Sequence, residues 1–125
     1  MTPQQMVAEC KVLIREVSSS EAAWLLKEGA LCLDVRETDE FKAEHLPDAI
    51  NIPRGILEFR IGDIPSLANK DATLLVYCKS GGRSALAALS LQRLGYGSIL
   101  SIAGGIDDWK KSGLPLHNQV CSYVV

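Results

Sequence analysis

Cys78 ends an apolar run, Leu74 to Tyr77, and is followed by Lys79-Ser80-Gly81-Gly82-Arg83-Ser84. An alanine- and leucine-rich helical pattern then begins. A loop entering a helix points several unpaired N–H groups at one spot. Gly81 and Gly82 allow the positive φ angles that curl a backbone into an anion-binding nest. Arg83 adds a rigid positive fork, Lys79 a mobile charge, and the helix dipole a further partial charge. All of these favour a thiolate at Cys78. A free cysteine titrates near about 8.5, and settings of this kind lower that to roughly 3.5–7.5. The thiolate is the attacking species, and the same amides suit an anionic substrate and the charge that grows during reaction. Taken alone, a cysteine at a strand end is a small core residue. A core position does not need two glycines, a lysine and an arginine directly after it.

Asp34 and Arg36 lie at the end of another apolar run, Leu31 to Val35. They read either as a shell that fixes the cysteine loop or steers its substrate, or as a surface ion pair of little worth. Asp34 favours the first reading, because an acid inside an apolar strand needs a partner; Arg36 fits both. His45 is a general-base candidate, but packing and hydrogen bonding before Leu46-Pro47 suit it better. Trp24 and Trp109, with apolar neighbours at helical spacing, read as core or interface residues. Ser80 and Ser84 are candidate donors to whatever anion the loop holds, and Ser84 is the better placed to cap the helix. Cys32 reads as buried and inert, and Cys10 and Cys121 as candidates for exposure; a resolving disulfide to Cys78 has no support in the pattern.

These residues need elements to position them. Thr2-Pro3 starts a helix through about Lys11, and a short strand follows near Ile14–Val17. Ser18 and Glu21 have capping-box spacing, opening a helix that stops at Gly29. Strands are expected at Leu31–Val35, Ala49–Ile52, Thr73–Tyr77 and Ser98–Ile102. Helices are expected from a Thr38 cap to about Glu44, over Ser84–Leu94 and over Ile106–Ser112. Residues 54–61 fit more than one element, a short helix best. Five short strands alternating with helices predict an α/β domain with a mainly parallel sheet and helices on both faces. Ligands of such sheets bind at the C-terminal strand ends, which brings Asp34–Glu37 and Cys78–Arg83 to one edge.

The 125 residues suit one domain, and 47% of them are apolar, enough for one core. A formal charge of -2 gives no electrostatic reason to expect nucleic acid or an anionic membrane as partner. No apolar run approaches the roughly 18 residues of a membrane span. Met1-Thr2-Pro3-Gln4-Gln5 lacks a signal-like pattern, so a soluble, cytoplasmic protein is expected. Cys10, Cys32, Cys78 and Cys121 are widely spaced, as are His45 and His117. Free thiols and no metal site are expected. The uncharged, β-prone tail Val120–Val125 suits packing on the domain or strand addition to a neighbour.

Four stretches together resemble a single-domain rhodanese, a sulfurtransferase, over nearly the whole chain. They are Leu33–Glu37, His45–Pro53, Tyr77–Ser84, and Gly104–Trp109 with Gly113–Pro115. The resemblance implies a three-layer fold about a sheet of about five strands, in one domain over 1–125. Its core would span about 12–115, with 1–11 an N-terminal helix and 116–125 a tail. It implies Cys78 as nucleophile, a covalent persulfide on Cys78, and no organic cofactor or metal. Lys79, Ser80, Gly81, Gly82, Arg83 and Ser84 would bind the substrate, with Asp34 and Arg36 in support. The donor would be a small sulfur-bearing anion such as thiosulfate, and the acceptor cyanide or a thiol; a sulfur-relay protein is a further partner class. A carrier module handing sulfur to a protein partner is the alternative. Four residues separate Cys78 from Arg83, as in sulfur-transferring members; phosphate- and arsenate-handling members have one more, which makes a phosphatase or arsenate reductase the distant reading. Glu44 and Asp48 stand where the family often has glycine.

Overall fold

The chain's structure, a computed structural model, describes residues 1–117. Elements and helices alternate as β1 Glu16–Val17, β2 Leu31–Asp34, β3 Ile50–Asn51, β4 Leu74–Tyr77 and β5 Ile99–Ile102, with α1 Pro3–Leu13, α2 Ser19–Lys27, α3 Thr38–Ala43, α4 Leu57–Arg60, α5 Pro65–Ala68, α6 Gly82–Arg93 and α7 Gly105–Lys111. The five strands form one parallel sheet in the order β1-β5-β4-β2-β3. The chain leaves β2 toward β3 and leaves β4 toward β5, in opposite directions. That reversal opens a crevice between the ends of β2 and β4, where Asp34 pairs in register with Tyr77.

Side-chain alternation along β4 builds both core layers. Leu74 and Val76 join one layer with α1, α4, α5 and α6, while Leu75 and Tyr77 join the other with α2 and α7. All four β4 residues are buried, as a continuous apolar strand covered on both faces should be.

Several boundaries follow local chemistry more closely than the sequence suggests. Thr2 and Gln5 cap α1 reciprocally: Thr2 Oγ1 accepts from Gln5 N at 3.1 Å and Gln5 Oε1 from Thr2 N at 2.7 Å. The helix runs to Leu13, leaving β1 two residues long. Ser18 caps α2 as expected. The cap of α3 is Glu37 rather than Thr38, with the Glu40 carboxylate accepting from Glu37 N at 2.9 Å. Residues 54–68 hold more helix than expected, with single 3₁₀ turns at Arg54–Ile56 and Ile61–Asp63 between the short helices.

Trp109 is a core residue, its indole N–H donating to Pro115 O at 2.8 Å, whereas Trp24 is 58% exposed and outside the core. Cys10 is buried under α1 rather than exposed, and Cys32 is buried as expected. Cys10, Cys32 and Cys78 are free thiols; Cys121 and the tail from residue 118 lie outside the described residues. Of the two family glycine positions, Asp48 takes φ +60° and Glu44 is extended at φ -167°. Only the first is a conformation that favours glycine, and Asp tolerates it better than most residues. Among the described residues, no helix is long and apolar enough to cross a membrane.

Candidate functional site

The alternation that sends Tyr77 to one sheet face sends Cys78 to the other, toward the start of α6. The chain then turns through Gly81, which takes φ +111° and caps α6. That turn aims two backbone donors at the sulfur: Gly81 N–H at 3.1 Å and Ser84 N–H at 3.3 Å. Ser84 Oγ lies 3.5 Å from Sγ. Donors aimed at one sulfur stabilise negative charge on it. Cys78 is 1% exposed, so the sulfur forms the floor of the loop rather than its rim.

Because α6 begins at Gly82, Ser84 is the third residue of the helix and not its cap. Its hydroxyl donates back to Gly81 O at 3.3 Å and lies 2.9 Å from the hydroxyl of Ser101 on β5. Both serines are fully buried. Ser101 is a polar residue inside an otherwise apolar strand. Asp34 carries the same signal in β2.

A second helix fixes the loop from outside. Ile106 N–H donates to Cys78 O at 2.9 Å and Asp107 N–H to Lys79 O at 3.1 Å, both from the first turn of α7. So close an approach requires Gly105 at φ +59°, since a side chain there would overlap the Cys78 and Lys79 carbonyls. The Gly104-Gly105 pair thus belongs to the cysteine loop through its backbone.

Both loop cations are held by acids. Arg83 gives its fork to Glu40 on α3, with Nη1–Oε1 at 2.7 Å and Nη2–Oε2 at 3.1 Å. This pair ties the start of α6 to α3. The hydrogen bond from Arg83, backed by the one from Glu37 N, holds the Glu40 carboxyl down at about 2. Lys79 reaches Asp107 at 3.2 Å, and both side chains are well exposed. Both cations are thus paired within the protein rather than left free for an anion, and neither Glu40 nor Asp107 carries a sign of this in the local sequence. Ser80 is exposed at the loop's tip, with Gly82 starting the helix behind it.

Asp34 and Arg36 lie on the other sheet face and make no hydrogen bond to residues 79–84, though the Asp34 charge is felt at Arg83. Asp34 is fully buried and accepts from Arg36 N at 2.8 Å, from the Arg36 guanidinium at 2.7–3.1 Å, and from Tyr77 O–H at 2.6 Å. Tyr77 in turn accepts from Leu46 N, and Arg36 donates to Glu44 O at 2.7 Å. Burial pulls the Arg36 titration down, and the hydrogen bond and charge of Asp34, with Tyr77 adding to them, together more than offset it. Burial, then Asp34, push the Tyr77 phenol up. This network fixes the residue before the cysteine, and it is a buried pair rather than a surface one. His45 has the structural role: its Nδ1 lies 2.9 Å from Phe41 O and its ring stacks on Phe41 at 3.8 Å.

An apolar cavity of about 410 Å³ lies elsewhere, lined by Ala23, Leu26, Cys32, Trp109 and Pro115. Burial and the nearby Asp34 charge push the Cys32 thiol far up, which leaves it a poor nucleophile. No group of residues suited to holding a metal ion occurs among those described.

Comparison with known proteins agrees with this fold. Residues 18–112 match the family model for a rhodanese-like domain. A sulfurtransferase of Allochromatium vinosum is 34% identical over 106 residues, covering 83% of this chain and 95% of that protein. Thiosulfate sulfurtransferase 18 of Arabidopsis thaliana is 32% identical over 113 residues, covering 82% and 83%. Among solved structures, a Rhodopseudomonas palustris protein, described as of unknown function and a possible tyrosine phosphatase, superposes with a TM-score of 0.84 at 28% identity, over 94% of this chain and 95% of that one.

Proposed function

The chain belongs to the rhodanese-like domain family, and from that membership we propose that it is a thiosulfate sulfurtransferase working through a persulfide on Cys78. The observation that carries the proposal is the pair of backbone N–H groups, from Gly81 and Ser84, aimed at one buried sulfur. They stabilise a thiolate before reaction and a persulfide anion after it. The Cys78 thiolate attacks the outer sulfur of thiosulfate. A new S–S bond forms, the bond to the sulfonate breaks, and its electron pair leaves with sulfite. The acceptor, cyanide or a thiolate, then attacks the terminal sulfur of the persulfide. The Cys78 S–S bond breaks, and its electron pair returns to Cys78 as thiolate. With cyanide the products are sulfite and thiocyanate, and no electrons are gained or lost overall.

The other residues have supporting roles in this reading. Lys79, Ser80, Gly82 and Arg83 shape the mouth and charge of the loop, with Arg83 positioned by Glu40. Ser84 and Ser101 hold the loop's inner wall. Asp34 and Arg36 act through Tyr77, fixing the strand end from which Cys78 projects.

The phosphatase description of one structural neighbour raises a second reading. The loop opposes it in two ways. Only four residues separate Cys78 from Arg83, and the Arg83 fork is already occupied by Glu40. A tetrahedral oxyanion needs a wider cradle than one sulfur atom, and a free guanidinium to hold it.

Steady-state thiocyanate production from thiosulfate and cyanide, alongside hydrolysis of an aryl phosphate, tests the proposal. Catalytic turnover of thiosulfate that vanishes in Cys78→Ala is expected. Stoichiometric sulfur uptake without turnover would make the chain a carrier module instead, and phosphate hydrolysis without sulfur uptake would overturn both.

A further inference from the structure

Helix α1 precedes the residues 18–112 that match the family model. Its placement bears on the site. Val7 and Lys11 are four residues apart and therefore share one face of α1. Both reach the cysteine loop. A Cβ built on Gly82 would lie 3.7 Å from Val7 Cγ2, and one built on Gly81 would lie 3.9 Å from Lys11 Nζ. Gly81 is also the residue whose N–H donates to Cys78 Sγ at 3.1 Å. One residue therefore separates the ammonium from the sulfur, and the path through it bounds their separation to roughly 10 Å.

Lys11 is also the most loosely held of the three cations described around the loop. Arg83 makes two hydrogen bonds to Glu40, and Lys79 lies 3.2 Å from Asp107. The partner of Lys11 is Glu16 at 3.8 Å, too long for a hydrogen bond, and the Lys11 side chain is 39% exposed. A four-carbon stem lets such an ammonium swing toward an arriving anion.

We infer that Lys11 is a donor-binding residue: its ammonium meets the sulfonate end of a dianionic donor such as thiosulfate while the outer sulfur of that donor reaches Cys78. The inference deepens the sulfur-transfer reading and rests on it. Glu16 competes with the donor for the same ammonium, which makes the pair a determinant of selectivity for anionic over neutral donors.

The test uses Lys11→Met, Lys11→Arg and Glu16→Gln in the full chain. In the thiosulfate–cyanide assay, Lys11→Met raises KM for thiosulfate about three- to tenfold with kcat within about twofold, and the gap narrows at high salt. Lys11→Arg restores most of the affinity, and Glu16→Gln lowers KM. A second readout does not depend on sulfur transfer. The rate of Cys78 alkylation by anionic iodoacetate, divided by the rate with neutral iodoacetamide, falls in Lys11→Met and rises in Glu16→Gln. If the unmodified protein takes up no sulfur from thiosulfate, the sulfur-transfer reading fails while the alkylation ratio still decides the role of Lys11. An unchanged ratio in both variants, or a loss in kcat alone, overturns the assignment. Should Lys11→Met fail to fold, an unchanged ratio in Glu16→Gln overturns it by itself.

Discussion

Replacing Gly105 with alanine would put a methyl group where the loop leaves no room. The added carbon would overlap Cys78 O and lie 2.5 Å from Lys79 O and 2.6 Å from Lys79 C. These are backbone atoms, and the two oxygens accept from Ile106 N and Asp107 N, so they cannot turn aside without losing those bonds. Three costs combine. A φ of +59° in a residue with a Cβ costs about 1–2 kcal/mol. Parting α7 from the loop loses two hydrogen bonds of about 1 kcal/mol each. The expected loss is therefore about 3–4 kcal/mol, or a fall in Tm of roughly 10–15 °C for a domain of this size. Gly29→Ala is the control, because Gly29 also has a positive φ, +101°, but nothing within 4 Å of an added Cβ. Its cost should be the backbone term alone, about 1–2 kcal/mol. Urea denaturation of both variants, with unchanged m-values, measures the difference. Sulfur uptake at Cys78 should also slow in Gly105→Ala and not in Gly29→Ala. Equal losses of stability in the two variants would refute the claim that α7 clamps the cysteine loop through this glycine.

Other outcomes follow from the same contacts. Glu40→Gln should cost about 1 kcal/mol at neutral pH, a modest figure because the Arg83 pair is about one-third exposed. The Glu40 carboxyl is depressed in the folded protein to about 2 from 4.5, so its contribution is complete above 4.5 and is lost as pH falls toward 2. Parent and variant melting curves should therefore converge across that window; a constant gap would contradict the pairing. Tyr77→Phe strips Asp34 of a 2.6 Å hydrogen bond and Leu46 N of its acceptor, and should cost about 2–3 kcal/mol by chemical denaturation. Asp48→Ala should be less stable than Asp48→Gly by about 1 kcal/mol, because the position has φ +60°.

Much of this site can be read along the chain because its parts are local. Period-two burial places Tyr77 and Cys78 on opposite faces, and Gly81 makes the turn that aims its own N–H at the sulfur; of the two expected loop glycines only Gly81 takes a positive φ, Gly82 being already helical. Asp34 declares itself as an acid inside an apolar run, and the structure supplies the partners it needs. The parts that do not declare themselves are joined across the fold. Glu40 lies 43 residues from Arg83 and has a local task of its own, accepting from Glu37 N, so nothing nearby betrays its second one. Lys11 reaches Gly81 only because of the angle at which α1 crosses the start of α6, and no periodicity encodes that angle. Cys10 is buried and Trp24 exposed for the same reason: each lies on a helix whose docking face is set by its partner helix. The start of α6 at Gly82 was obscured because the αL residue that caps it, Gly81, has no side chain to announce a cap.

In the proposed reaction the sulfur in transit is carried by Cys78, facing the Gly81 and Ser84 amides. Peptide mass spectrometry after brief exposure to thiosulfate, followed by gel filtration, tests it most directly. The reading predicts the mass of one added sulfur atom on the peptide bearing Cys78, removed by cyanide and absent in Cys78→Ala. Sulfur found instead on Cys10, Cys32 or Cys121, or undiminished uptake by Cys78→Ala, would contradict it.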